Sequence, residues 1–368
     1  MHIVIATPLY PPEIGGPATY AKFLEEGLPK KGIEVELVKF GDVRHLPKLI
    51  RHYVYYCRVL KAACTADAVF ALDPVSVGLP AMQAAKKAGK PFVVKIVGDY
   101  AWEQGQQRFG VTQNLDDFVK SKDVPFSVQL LRRIQTRVAR SATRVIVPSE
   151  YLKNIVAAWG ISEEKIRVIY NGIELPENIP MPQKKDGEFL IVSAGRRVPW
   201  KGFEAIERVA RMHKNWRVHI ASGVPRDEAL GWMKAADVFV LNSSYEGLSH
   251  VLIEAMTLGI PVIATNAGGN ATLVSDEETG LLVPSGDDVA LQKALTRVAE
   301  NPAVAKERAL VAQKRMNDFS VPHMLDATTQ LMLDVVRPTH LILKYYLSQT
   351  TLRYLMRRAP RARGCARM

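Results

Sequence analysis

Apolar and polar positions along this chain alternate between two periods. Short runs rich in β-branched residues, HIVIAT, EVELVKF, AVFALD, FVVKIVG, RVIVPS and IRVIYN, follow one another through the first half. Their length and composition are those of buried strands, and helical patterns separate them. Pro17 stands where a first helical turn begins, and that helix is expected to stop at Gly32; another is expected from about Val75 to Gly89. Such alternation predicts a doubly wound α/β sheet. From Glu174 to Gly187 the pattern breaks into Pro, charge and amides, the composition of a linker. It then restarts with EFLIVSAG, WRVHIAS, DVFVLNS and PVIATNA, again with helices between. Two Rossmann-like halves are therefore expected, over residues 1–175 and 188–320 with a linker at 176–187. Ligands of such sheets bind at the carboxyl ends of the strands, so two facing halves make a cleft with a site on each wall.

Composition changes this picture little. A chain of 368 residues, 48% hydrophobic and 23% charged, is ordinary for about two domains of ~150 residues each. Cys57, Cys64 and Cys365 form no disulfide framework. With no cationic leader and no run of ~20 apolar residues, a soluble or peripheral protein of a reducing cytoplasm is expected. The net charge of +12 is uneven: residues 337–368 hold 8 Lys and Arg and no acid, and the remaining surplus lies in the first half. That placement fits an anionic partner or a solvated basic face. The aromatic-interleaved motifs of nucleic-acid binders are missing. Arg44, Lys48, Arg51 and Arg58 share one face of an expected helix, with Leu46, Ile50, Tyr53, Val54, Cys57 and Leu60 toward the other. The apolar face is expected to pack on the sheet, leaving the basic face to meet lipid phosphates.

The densest chemistry lies in SYEGLSHVLIEAM, residues 244–256, where Glu246 and Glu254 flank a Gly247-Leu248-Ser249 turn that opens an apolar helix. A helix N-terminus offers free N–H groups and partial positive charge, so this turn suits a phosphate. The flanking carboxylates suit hydroxyls, which donate to them strongly. A phosphate between hydroxyl-binding acids describes a nucleotide sugar. Arg196 and Lys201 flank another turn, with Gly195 and Gly202 giving the backbone room. Two cations aimed at one point answer the charge that grows on a departing diphosphate. Gly15-Gly16-Pro17 follows the first strand and admits a close ligand, though it is not a dinucleotide fingerprint. Asp99 ends the strand FVVKIVGD and is expected to face the cleft; the loop after it, with Trp102 and Glu103, reads as part of an acceptor wall or as a mere helix cap. His250 and Glu254 have a helical metal-binding spacing but no evident third ligand, and no metal is expected.

Five segments in order, IATPLYPPEIGGPATY, VPSEYLKNIV, VIYNGIE, SAGRRVPWKGF and ADVFVLNSSYEGLSHVLIEAMTLGIPVIATNAGG, resemble the retaining glycosyltransferases of family 4, which have the GT-B fold. The resemblance runs from Met1 to about Val336. It implies that Arg196 and Lys201 bind the pyrophosphate, that Glu246 contacts donor-sugar hydroxyls and Glu254 the ribose, and that the Gly15-Gly16 loop lies against donor phosphates and acceptor. It further implies that the last helix, residues 321–336, crosses back onto the first domain, and that neither divalent ion nor cofactor is needed beside the nucleoside-diphosphate sugar. Attack on the departing face would leave the acceptor proton to the leaving phosphate. The acceptor is expected to be lipid-linked or a glycan, handled at the inner face of the cytoplasmic membrane.

The chain departs from that pattern in three places. Gly98 stands where the family often carries a His nearby; a strand-helix unit of ~30 residues is missing between Lys201 and Ala236, predicting a shortened second domain; and residues 337–368 have no counterpart. The missing unit leaves room for a catalytically weak sugar-nucleotide-binding protein, and the charge alone for a basic peripheral membrane protein.

Overall fold

The computed structural model describes residues 1–13 and 15–336, so the basic tail lies outside the described residues. Six parallel strands, β1 (His2–Thr7), β2 (Glu34–Lys39), β3 (Ala68–Ala71), β4 (Phe92–Lys95), β5 (Arg144–Val147) and β6 (Ile166–Val168), form a first sheet in the order β2-β1-β3-β4-β5-β6. Five more, β7 (Phe189–Ala194), β8 (Trp216–Ala221), β9 (Val238–Leu241), β10 (Val262–Thr265) and β11 (Leu281–Val283), form a second in the order β11-β10-β9-β7-β8. Helices cover both faces of a parallel sheet, which is why Ile3, Val4 and Ile5 are all fully buried and the strands read as apolar runs rather than alternating ones.

The strand orders fix where ligands can enter. In the first sheet the chain steps outward from β1 to β2 and returns across to β3; in the second it steps from β7 to β8 and returns to β9. The helices that follow β1 and β3, or β7 and β9, therefore pack on opposite faces of their sheet and leave a crevice at the carboxyl ends, where the adjoining loops stand side by side. The second sheet stops at β8, one strand short of the first, in keeping with the shortened second half.

Residues 174–188 carry no regular element and run over the second sheet's helices, with the Pro180 carbonyl against Gly231. Residues 321–336 are helical and return to the first sheet, where Met324, Leu325, Leu331, Met332 and Val335 join Ile3, Ile5, Leu24 and Phe70 in one core. The two passages touch where Ile173 bridges Ser320 and Met324 Sδ meets the Gly172 N–H at 3.2 Å.

Several local expectations shift. The first helix ends at Gly27 and a short 3₁₀ turn, Pro29–Lys31, precedes Gly32, because Pro29 cannot supply a helical N–H. The second covers Gly78–Ala88, beginning late because the Asp73 carboxylate takes the Val75 N–H at 2.7 Å and holds the preceding turn. The basic helix covers Lys48–Ala63 and is rotated from the expected register: Tyr55, Val59, Ala62 and Ala63 are buried, while Ile50 and Tyr53 are 52% and 68% exposed. Tyr55 wins the inner face because its hydroxyl donates to the Val38 carbonyl at 2.8 Å. Arg44 precedes the helix and pairs with Glu13, and Arg58 pairs with Asp42 at 3.3 Å, so only part of the basic face is free.

Candidate functional site

The loops after β7 and β9 meet at the second sheet's switch point. The first carries Gly195 to Gly202 and the second Asn242 to Ser249, and together they bring Lys201 Nζ to 2.6 Å from Glu246 Oε1 across 45 residues of sequence. Both side chains are 12% exposed. Gly195, at φ +142, lets the Lys201 chain pass: a Cβ there would lie 3.3 Å from Cε and 3.4 Å from Nζ. Arg196 is exposed beside this pair and has no ion-pair partner among the described residues, whereas Arg197 turns away over the Phe203 ring. Beneath Glu246, Gly268 and Gly269 press on its backbone; the Gly269 N–H donates to the Glu246 carbonyl at 2.7 Å, and a Cβ on Gly268 would strike Glu246. The NAGG segment thus fixes the acid from below.

Ser249 caps the helix His250–Thr257, its hydroxyl accepting from the Leu252 N–H at 3.4 Å. Gly247 packs against the first domain: its carbonyl accepts from Ser149 Oγ at 2.6 Å, and a Cβ would sit 2.6 Å from the Val97 carbonyl. Leu248 is buried in the second domain's own core. Gly247 therefore ties the turn to the first domain, and the anion-attracting part of the turn is the helix N-terminus that Ser249 caps. Glu254 is buried on that helix and is taken by Arg226, whose Nε donates to it at 2.8 Å while a terminal nitrogen donates to the Glu174 carbonyl at 2.7 Å. Burial raises the Glu254 carboxyl and Arg226 opposes the rise.

His250 faces the first domain rather than a metal. Its Nε2 lies 2.8 Å from Asn171 Nδ2, and a Cβ on Gly16 would lie 3.9 Å from the ring. Burial first, then Lys95 and Arg226, push its pKa down to about 4, so the ring is neutral. Gly15, at φ +150, precedes the helix Gly16–Gly27 and lies beside Leu9. Lys95 is 2% exposed, held over the Tyr20 ring at 3.7 Å with no hydrogen-bond partner for Nζ, and burial pushes it well below its usual range.

On the first wall, Asp99 and Trp102 do not line the cleft. Asp99 is 1% exposed, accepting the Trp102 N–H at 2.9 Å and a Gln135 amide N–H at 3.0 Å; it is a helix cap with a pKa raised by burial. Trp102 is 2% exposed and donates Nε1–H to the Gln113 carbonyl at 2.8 Å. Its ring packs against two second-domain rings, Tyr245 at 4.6 Å and Trp200 at 5.7 Å. The reason is helical phase: Trp102 turns inward, and Glu103, one position on, faces the cleft. Gly98 gives the Glu103 carboxyl its place, since a Cβ on Gly98 would collide with Oε1. Sequence reasoning missed Arg226, Lys95, Trp200 and Tyr245. Trp200 and Tyr245 stood inside the quoted motifs, next to Lys201 and Glu246; Arg226 and Lys95 carried no local signal. Among the described residues, no cluster of three His, Cys, Asp or Glu side chains stands that could hold a metal ion.

Residues 2–172 match the family of glycosyl transferase 4-like domains and residues 217–316 the glycosyl transferases group 1 family. An Escherichia coli UDP-Gal:alpha-D-GlcNAc-diphosphoundecaprenol alpha-1,3-galactosyltransferase is 26% identical over 69% of this chain and 72% of its own length. The Rhizobium meliloti lipopolysaccharide core biosynthesis glycosyltransferase LpsD is 31% identical over 39% of this chain, which there spans about half, 49%, of the relative. Among solved structures, Anabaena HepE in complex with UDP-glucose superposes with a TM-score of 0.71 at 18% identity, covering 91% of this chain and all of that one. A sucrose-phosphate synthase from Thermosynechococcus elongatus superposes at 0.72 and 18% identity, covering 92% and 99%.

Proposed function

The chain belongs to the group 1 and 4-like glycosyltransferases, of GT-B fold, and on that premise we propose that it moves a hexose from a nucleoside-diphosphate sugar to an acceptor with retention of anomeric configuration. The observation that carries this reading is the meeting of Lys201 with Glu246 beside the unpaired Arg196 at a strand switch point. Arg196 and the Lys201 ammonium answer the charge that grows on the bridging oxygen as the diphosphate leaves. Glu246 exchanges its bond to Lys201 for hydroxyls of the sugar. Glu254, kept in place by Arg226, takes the ribose. The helix N-terminus at Ser249 and the open backbone of Gly15, Gly16 and Gly195 receive the phosphates. The leaving phosphate is proposed to take the acceptor proton on the face from which the sugar departs.

The acceptor is proposed to be lipid-linked, in envelope glycan or glycolipid synthesis. The E. coli relative's printed acceptor, a diphosphoundecaprenol, supports this, as do the exposed Leu49, Ile50 and Tyr53 beside Lys48 on the first domain. Among the described residues no helix is long and apolar enough to cross a membrane, so the proposed association is peripheral. The test is transfer from UDP-, GDP- and ADP-sugars to an undecaprenyl-diphosphate-linked sugar, with the product's anomeric coupling read by NMR. An inverted product would remove retention, and no binding of any nucleotide sugar would remove the reading.

A further inference from the structure

Among the described residues, every acid at the cleft has a partner except one. Glu246 is held by Lys201, Glu254 by Arg226, and Asp99 by Trp102 and Gln135. Asp73 is held by backbone N–H groups. The Glu103 carboxyl, partly exposed, makes no hydrogen bond or ion pair with the described residues. It lies in the gap where Gly98 of the first domain meets Tyr245 of the second; a Cβ on Gly98 would be 3.1 Å from the Tyr245 hydroxyl, which itself is buried without a partner. Arg196 and Glu246 act on Glu103 from the opposite wall. Burial first, then Asp99, Asp73 and Glu246, push its pKa up to about 7 against the pull of Arg196. An unpartnered acid among other acids costs stability.

We propose that Glu103 is a specificity-determining residue whose carboxyl hydrogen-bonds a hydroxyl of the transferred sugar, closing the donor site from the first-domain side. The inference rests on the nucleotide-sugar reading and deepens it. A hydroxyl both donates and accepts, so it suits a carboxyl in either protonation state, whereas a phosphate oxygen would be repelled by the acids around it. The cations that hold the diphosphate, Arg196 and Lys201, stand on the second wall, so the sugar is the part of the donor that faces Glu103 and Glu246 together. Gly98 belongs to the same device: a side chain at that position would collide with the carboxyl.

Calorimetric titration separates the possibilities. The full chain and its Glu103→Ala, Glu103→Gln and Gly98→Ala variants are titrated with UDP, GDP and ADP, and with UDP-glucose, UDP-galactose, UDP-N-acetylglucosamine, GDP-mannose and ADP-glucose. The diphosphate that binds the wild type best should bind all variants within about twofold. The best nucleotide sugar should bind Glu103→Ala and Gly98→Ala about tenfold or more weakly, the scale of one lost hydrogen bond to a charged or polar group, and Glu103→Gln should recover part of the loss through its amide. Equal loss of diphosphate and sugar affinity, or no loss of either, overturns the inference. Slowed transfer with unchanged nucleotide-sugar affinity also overturns it, by placing Glu103 on the acceptor. A wild type that binds none of the diphosphates sinks the nucleotide-sugar reading, and the inference with it.

Discussion

Replacing Glu246 by Gln should slow transfer while tightening the hold on a free nucleoside diphosphate. In the unliganded site the Glu246 carboxylate sits 2.6 Å from the Lys201 ammonium, both 12% exposed. At an effective dielectric of ~20 the gross attraction across that distance is ~6 kcal/mol, most of it offset by the desolvation of two charges. A net pair of ~1–2 kcal/mol must be given up before Lys201 can serve a phosphate, and Glu246→Gln removes that cost together with a nearby negative charge. The expected gain is about tenfold in diphosphate affinity, ~1.4 kcal/mol. The same change weakens the contact to the sugar hydroxyls, so turnover should fall about 10²-fold, the scale for losing one electrostatic contact in a transition state. Shape is kept, so the melting temperature should move little. Lys201→Ala is the counterpart: it should lose diphosphate affinity and turnover together and leave a partly buried Glu246 unpaired. Calorimetry with UDP, GDP and ADP, with radiolabelled transfer alongside, reads both quantities. Near-normal turnover in Glu246→Gln, or diphosphate affinity that falls with turnover, would refute the reasoning.

Three further outcomes are expected. Activity should survive EDTA, since Arg196 and Lys201 supply the charge that a divalent ion would; loss on chelation with recovery in Mg²⁺ or Mn²⁺ contradicts this. His250, held neutral with a folded pKa of about 4, contributes stability that is present above the unfolded value of ~6.5 and lost as pH falls through 4, amounting to ~2–3 kcal/mol. Measured as the difference between wild type and His250→Gln, so that the opposite contributions of the raised carboxyls Glu103, Asp99 and Glu254 cancel, the wild type's advantage should shrink between pH 7 and pH 4; a constant difference places the ring in solvent. The full chain should cosediment with anionic but not neutral vesicles and release as salt rises, and Ile50→Ser with Tyr53→Ser should weaken it; equal binding to both vesicle types means the charge is only solubilising.

Much of this protein is legible locally. The apolar runs gave ten of the strands, because buried parallel strands advertise both faces, and the Gly-Leu-Ser turn before His250 was visible as a helix start. β11 escaped because Leu281–Val283 is three residues long. Periodicity placed a helix near Lys48 but misjudged which stripe faces inward: the Tyr55 ring is buried with Val59, Ala62 and Ala63, its hydroxyl on the Val38 carbonyl, and Ile50 and Tyr53 are left in water. The charged residues of the site were nameable from motif and spacing, yet their partners were not. Lys201 and Glu246 lie 45 positions apart, and Glu254 meets an Arg226 that no motif marks. Those pairings depend on which strands become neighbours: β9 returns beside β7, so the loops that follow them converge. That Trp102 turns inward while Glu103 stays at the cleft is likewise a tertiary decision, made by the space Gly98 leaves and by the rings of Trp200 and Tyr245 crossing from the other domain. Sequence carries the local conformation and the chemical inventory; contact between distant residues is an energy that exists only once two sheets have closed on each other.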